Sequence, residues 1–106
     1  MKPNIKNDNK IKEMKGGVRK DNIESKPDFS LIPYSILERI AWQFTNGAKK
    51  YGRDNWKKAT KEQAEILFKP AGVRHALKHA DGQKDEDHAI AAITNIIMYE
   101  YIKEQK

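Results

Sequence analysis

The sequence predicts an all-α fold: a small bundle of about four helices behind an extended, basic N-terminal segment. Three observations lead there. Apolar residues recur at steps of three and four through 35–51, 73–81 and 87–104. Ser35 with Glu38, and Thr60 with Gln63, have the spacing of helix-starting capping boxes. No stretch alternates apolar and polar residues for long enough to make a strand.

The chain opens with a segment unlike the rest. Its first 28 residues hold eight Lys or Arg against five Asp or Glu, with few apolar positions to pair. Such a stretch buries too little surface to offset its ordering entropy, so 1–28 is expected to be a largely flexible segment and 29–106 the domain. Pro27 and Pro33 bias their predecessors away from helix, so 16–33 reads as extended.

The first helix covers 35–51, with Ile36, Leu37, Ile40, Ala41 and Phe44 on one stripe. Lys49 and Lys50 favour the dipole of its last turn, and Gly52 suits the position beyond. Residues 53–59 form a loop, and a second helix starts at Thr60. Pro70 and Gly72 interrupt or kink it, leaving a third segment over about 73–81. After the turn "DGQKDED" (81–87), the helix over 87–104 is the most apolar element. A domain of roughly 75 residues has a small core, and this helix carries more apolar surface than such a core covers. A homo-oligomer, dimer or tetramer, built from the 35–51 and 87–104 helices is therefore expected.

Composition narrows the function classes. The absence of cysteine excludes disulfides and thiolate metal sites. No apolar run approaches a membrane span and the N-terminus lacks a signal-peptide core, so a cytoplasmic location and no membrane partner are expected. The net charge of +6 suits phosphate-bearing ligands, but it divides evenly between the tail and the remainder. With no recognisable docking motif, nucleic acid is not the expected partner.

Candidate chemistry gathers in three places. In the last helix His88, Asn95 and Tyr99 fall near one stripe; Asn95 either bonds a neighbouring helix or faces a ligand. In "RHALKHADG", His75 and His79 lie one turn apart, either as a solvated pair or as metal ligands, beside the basic stripe of Arg74 and Lys78. Asp81, Asp85, Glu86 and Asp87 crowd the turn that follows, where they either cap the helix or hold a hard cation such as Mg²⁺. Glu38 suits a capping box or projects towards those acids. The segment "NGAKKYGRDNW" (46–56) ends a helix for ordinary reasons, yet its lysines suit phosphate and Tyr51 or Trp56 a base.

Four motifs, "KPDFSLIP", "GAKKYGRDNW", "RHALKHADG" and "DEDHAIAAITN", occur here in the order seen in the phage-associated dATP/dGTP diphosphohydrolase N-terminal family. That family is similar to the MazG-like all-α nucleotide pyrophosphohydrolases, and the resemblance covers about residues 16–103. It implies a metal-dependent enzyme, using Mg²⁺ or Mn²⁺, that hydrolyses dATP or dGTP to the monophosphate in phage nucleotide metabolism, within the host cytoplasm. It points to Lys26, Lys50, Tyr51, Asn55, Trp56, Arg74, His75, His88 and Asn95. On this reading Glu38, Asp85 and Asp87 are the metal-ligand candidates, and His88 or His75 is a ligand or general base. Lys50 and Arg74 meet phosphate oxygens. The chain departs from the family pattern at Gln83, where an acid is common, at Ala91, where a second histidine is frequent, and in the shortened loop "KDED". A non-catalytic nucleotide-binding protein, such as a phage sponge for a signalling nucleotide, is the alternative that accommodates those departures.

Overall fold

A computed structural model describes residues 12–13, 16–17, 19–20 and 26–106 of the chain. Most of the stretch expected to be flexible lies outside the described residues. Two compact units divide at Ile32/Pro33.

In the first unit, β1 (Lys12–Glu13) pairs antiparallel with β2 (Arg19–Lys20), Lys12 opposite Lys20. Gly16 and Gly17 between them take φ values of 87° and 86°, which residues with a Cβ rarely adopt. A 3₁₀ turn at Phe29–Leu31 follows, capped by Asp28, whose carboxylate accepts from the Ser30 backbone N–H at 3.0 Å.

The second unit is a bundle of three helices: α1 (Tyr34–Tyr51), α2 (Lys61–Ala80) and α3 (His88–Glu104). The sequence suggested about four, because Pro70 and Gly72 read as a break. Instead α2 runs through both. Proline removes a single bond of the ladder, and the rest of a twenty-residue helix outweighs that loss. Its start is secured by the expected capping box: Thr60 accepts from the Gln63 N–H at 3.0 Å, and Gln63 accepts from the Thr60 N–H at 2.9 Å. Gly72 is buried where α2 meets α3, and a Cβ there would lie 3.5 Å from Ile96 Cγ1 and 3.6 Å from the Ala92 carbonyl oxygen. That glycine sets helix spacing rather than ending a helix.

The Ser35 capping box does not form. Pro33, with φ fixed at −58°, immediately precedes the helix, which begins at Tyr34 and places Ser35 inside its first turn. At the other end Gly52 adopts φ 96° and donates its N–H to the Ala48 carbonyl at 2.8 Å, beyond Lys49 and Lys50 in the last turn.

Helices α2 and α3 run antiparallel. Near one end Glu65 accepts from the Tyr99 hydroxyl at 2.7 Å and from Lys103 at 3.1 Å; towards the other His75 meets His88. The buried apolar side chains are Ala64, Ile90, Ala91, Ala92 and Ile102, mostly small enough to let helices approach closely. Helix α1 buries no residue fully. Arg39 holds it through a two-pronged bond to Asp87, at 3.0 and 2.9 Å. An aromatic contact helps: Trp56, in the 3₁₀ turn Asn55–Lys58, packs its ring 5.8 Å from that of Phe44 and 5.2 Å from that of Tyr101. Among the described residues no helix is long and apolar enough to cross a membrane.

Candidate metal centre and adjoining cleft

The turn 81–87 folds the start of α3 back onto the end of α2, which sets His88 against His75. Their Nδ1 atoms lie 2.9 Å apart. Glu86 Oε1 stands 3.3 Å from His75 Nδ1 and 3.6 Å from His88 Nδ1. A triangle with these edges has a point about 2.1 Å from all three atoms, about 0.9 Å off their plane, and 2.1 Å is an ordinary metal–nitrogen or metal–oxygen distance. The three residues thus form a group able to hold a metal ion.

Their surroundings suit that role. The His88 side chain is 1% exposed, while that of Glu86 is 55% exposed, so the group is walled by protein on one side and open to solvent on the other. His88 Nε2 lies 2.7 Å from Asp85 Oδ1. This bond holds the Asp85 carboxyl below its usual range, so the acid is ionised and Nε2 is the donor. The Nδ1 of His88 then carries the lone pair. The 2.9 Å contact between the rings then has His75 donating from Nδ1, and a cation held by both Nδ1 atoms would need His75 to carry its proton on Nε2. Burial lowers the His75 pKa, opposed by the nearby Glu86 carboxylate and helped by the positive charges of Arg74 and Lys78.

Further along α3 lies a cleft of about 1210 Å³ between the end of α1, the 53–59 loop, the first half of α2 and α3. Tyr51, Asn55, Trp56 and Asn95 line it, as do Lys49, Arg53 and Lys58. Asn95 stands two turns beyond His88, on the same face of α3. Its amide donates to the Ala91 carbonyl of its own helix at 2.8 Å, which leaves Oδ1 with no partner among the described residues. Of the two alternatives for Asn95, the bond to a neighbouring helix is not made among the described residues.

The family model for dATP/dGTP diphosphohydrolase, N-terminal, matches residues 16–106. The chain belongs to that family. No curated protein and no solved structure matches it. The name of the dATP/dGTP diphosphohydrolase N-terminal family is that of a hydrolase, a class for which a converging His, Glu, His group makes chemical sense.

The other positions singled out in this family member fall as follows. Asp85 supports His88 from behind. Asp87 is taken up by Arg39 and by the N-cap of α3, where it accepts from the Ile90 N–H at 3.3 Å; the pairing with Arg39 holds its carboxyl below the usual range. Glu38 is exposed on α1, and its neighbour Arg39 is the residue that reaches the acidic turn. Trp56 is half-buried in its aromatic cluster. Tyr51 is 64% exposed, with the Lys50 ammonium 5.1 Å from its ring centre. Arg74 is exposed on α2 along a shallow groove with Val73, Leu77 and Gln83. Gln83 donates to Asp81 at 3.1 Å. Lys26 is exposed in the first unit.

The sequence counted Glu86 among the turn acids that cap a helix or hold a cation but did not single it out as a ligand, and it set His75 beside His79. A one-turn spacing is visible in a sequence; a contact between His75 and His88 is made only by folding α3 back on α2.

Proposed function

We propose that the chain is a metal-dependent hydrolase of purine deoxynucleoside triphosphates, releasing the monophosphate and pyrophosphate. The observation that carries this reading is the convergence of His75, Glu86 and His88 in one group, two turns of α3 away from a cleft lined by Lys49, Arg53 and Lys58, in a chain of this family. Of Mg²⁺ and Mn²⁺, two imidazole donors suit Mn²⁺, since Mg²⁺ prefers oxygen ligands alone. Such an ion, when bound, neutralises phosphate charge and lowers the pKa of a water.

The chain's own residues supply the rest. Asp85 fixes the tautomer of His88. Lys49, Arg53 and Lys58 draw the anionic end of a nucleotide to the cleft. Tyr51 offers a ring for a base to stack on, and Asn95 Oδ1 accepts from a donor on the base or sugar. Hydrolysis at the α-phosphorus then breaks its bond to the bridging oxygen, and the leaving pyrophosphate takes up the proton that water gives. With no membrane-crossing helix among the described residues, a cytoplasmic reaction fits nucleotide metabolism.

The test is incubation of the full chain with dATP, dGTP, ATP and GTP in Mn²⁺ or Mg²⁺, with products separated by chromatography. Deoxynucleoside monophosphate and pyrophosphate in equal amounts support the proposal. A single carboxylate in the donor group, with Gln83 tied to Asp81, favours a second reading: nucleotide binding without turnover. Saturable binding with no product would select it. Neither binding nor product would reject both.

A further inference from the structure

Among the amide and hydroxyl side chains that line the cleft, Asn95 alone is half-buried with an atom left unpartnered by the described residues. Its Nδ2 donates to the Ala91 carbonyl at 2.8 Å, and a carbonyl accepts only from a donor, so the nitrogen lies on the helix side and Oδ1 away from it. The others are committed or wet. Thr94 donates to the same carbonyl at 3.2 Å, Thr45 donates to the Ala41 carbonyl at 2.8 Å, and Gln63 Oε1 serves the capping box. Gln43 and Asn55 are exposed. Leu67, Phe68 and Met98 line the same cleft, so a ligand that covers Asn95 takes its oxygen out of water among apolar neighbours. An acceptor left unmet there is costly, which favours a ligand that donates to it.

Distance says which part of a nucleotide supplies that donor. Asn95 stands two turns beyond His88, so about 10 Å further along the axis of α3. With the α-phosphorus at the group of His75, Glu86 and His88, the sugar beside it falls short of Asn95, and only the far edge of the base reaches. The two fused rings of a purine extend further than the single ring of a pyrimidine. Position 6 lies on that far edge. Adenine carries an amine there, which donates; guanine carries a carbonyl oxygen, which would face Oδ1 as a second acceptor.

We propose that Asn95 selects adenine by accepting a hydrogen bond from its 6-amino group. The inference rests on the nucleotide reading of the cleft, and it names the base without depending on turnover. The bond to Ala91 keeps the amide from rotating, so the oxygen is presented ready-made and little freedom is lost on binding. The second Nδ2 hydrogen is left for the ring nitrogen beside the amine, the two-pronged pairing by which asparagine reads adenine in general.

The test is titration calorimetry of the full chain with deoxynucleoside monophosphates in Mn²⁺, which bind without being cleaved at the α-phosphorus. The wild type is expected to bind dAMP roughly 10- to 100-fold more tightly than the purine analogue with hydrogen in place of the 6-amino group, the penalty of an acceptor left unmet. It is expected to bind dGMP more weakly than dAMP, and dideoxy-AMP, which lacks the sugar hydroxyl, as tightly. Asn95→Leu is expected to bind dAMP and the analogue alike, whereas a merely structural Asn95 would weaken both together and keep their ratio. Asn95→Ala gives the same comparison should leucine disturb the helical circular dichroism. The expected preference for dAMP without any product from dATP supports the proposal and rejects turnover. A wild type indifferent to the 6-amino group, dGMP bound as tightly as dAMP, a preference that survives in both variants, a loss with dideoxy-AMP, or no binding of dAMP overturns it.

Discussion

Replacing Asp85 by alanine tests whether the buried histidine is held in one protonation form for a metal. Asp85 Oδ1 lies 2.7 Å from Nε2 of the buried His88, so in the native protein this carboxylate is the partner that decides where the ring proton sits. With the carboxylate in place, the proton sits on Nε2 and the lone pair on Nδ1, where the group of three converges. Without it the two neutral tautomers become comparable, and the form protonated at Nδ1 presents no lone pair. Loss of such a supporting bond typically weakens metal affinity about 10- to 100-fold, and that is the rise expected in the Mn²⁺ dissociation constant, read by titration calorimetry at neutral pH. Stability is expected to change little, because Asp85 is exposed and the N-cap of α3 is Asp87. Asp85→Asn separates the causes: its amide oxygen still accepts from Nε2–H, so its affinity should fall between wild type and alanine. Alanine binding Mn²⁺ as tightly as wild type would refute the tautomer argument. Asparagine no better than alanine would show that charge, rather than hydrogen bonding, is what Asp85 contributes.

The remaining predictions concern the scaffold. Gly72→Ala places a methyl 3.5–3.6 Å from Ile96, Ala92 and Asn95, ordinary contact. It should stabilise by about 0.5–1 kcal/mol, raising Tm by roughly 2–8 °C in a thermal melt; a lower Tm would show that α2 and α3 are closer than this spacing. Thr60→Ala removes one half of the capping box and should cost about 1 kcal/mol by denaturant titration, with no such loss for Ser35→Ala, which caps nothing. The Arg39–Asp87 pair depresses the Asp87 pKa below its ordinary 3.8, so its contribution is complete above that pH and is lost as pH falls through the lower folded-state value. Asp87→Asn keeps a good N-cap and removes the charge. Its Tm deficit should hold from neutrality to about pH 4 and close in stronger acid; a deficit that persists at pH 2 would assign the loss to the cap.

Local chemistry is the part of this protein that its sequence determined alone. The helical class follows from apolar periodicity, the Thr60 cap from a hydroxyl three residues before a glutamine, and the end of α1 from Lys49, Lys50 and a glycine free to take positive φ. Each depends on residues within one or two turns, so each is written in neighbouring letters. The continuity of α2 through Pro70 is not, because the rest of a twenty-residue helix, packed on α3 with Gly72 against Ile96, outweighs the bond that the proline removes. The same holds for the site. That His75 and Glu86 meet His88, that Asp85 stands behind it while Asp87 turns to Arg39, and that Asn95 keeps an oxygen open to a cleft are all consequences of α3 folding back along α2. Side chains of the same type, a residue or two apart in the turn, acquire different partners there, and only the packing of the helices against one another distributes them.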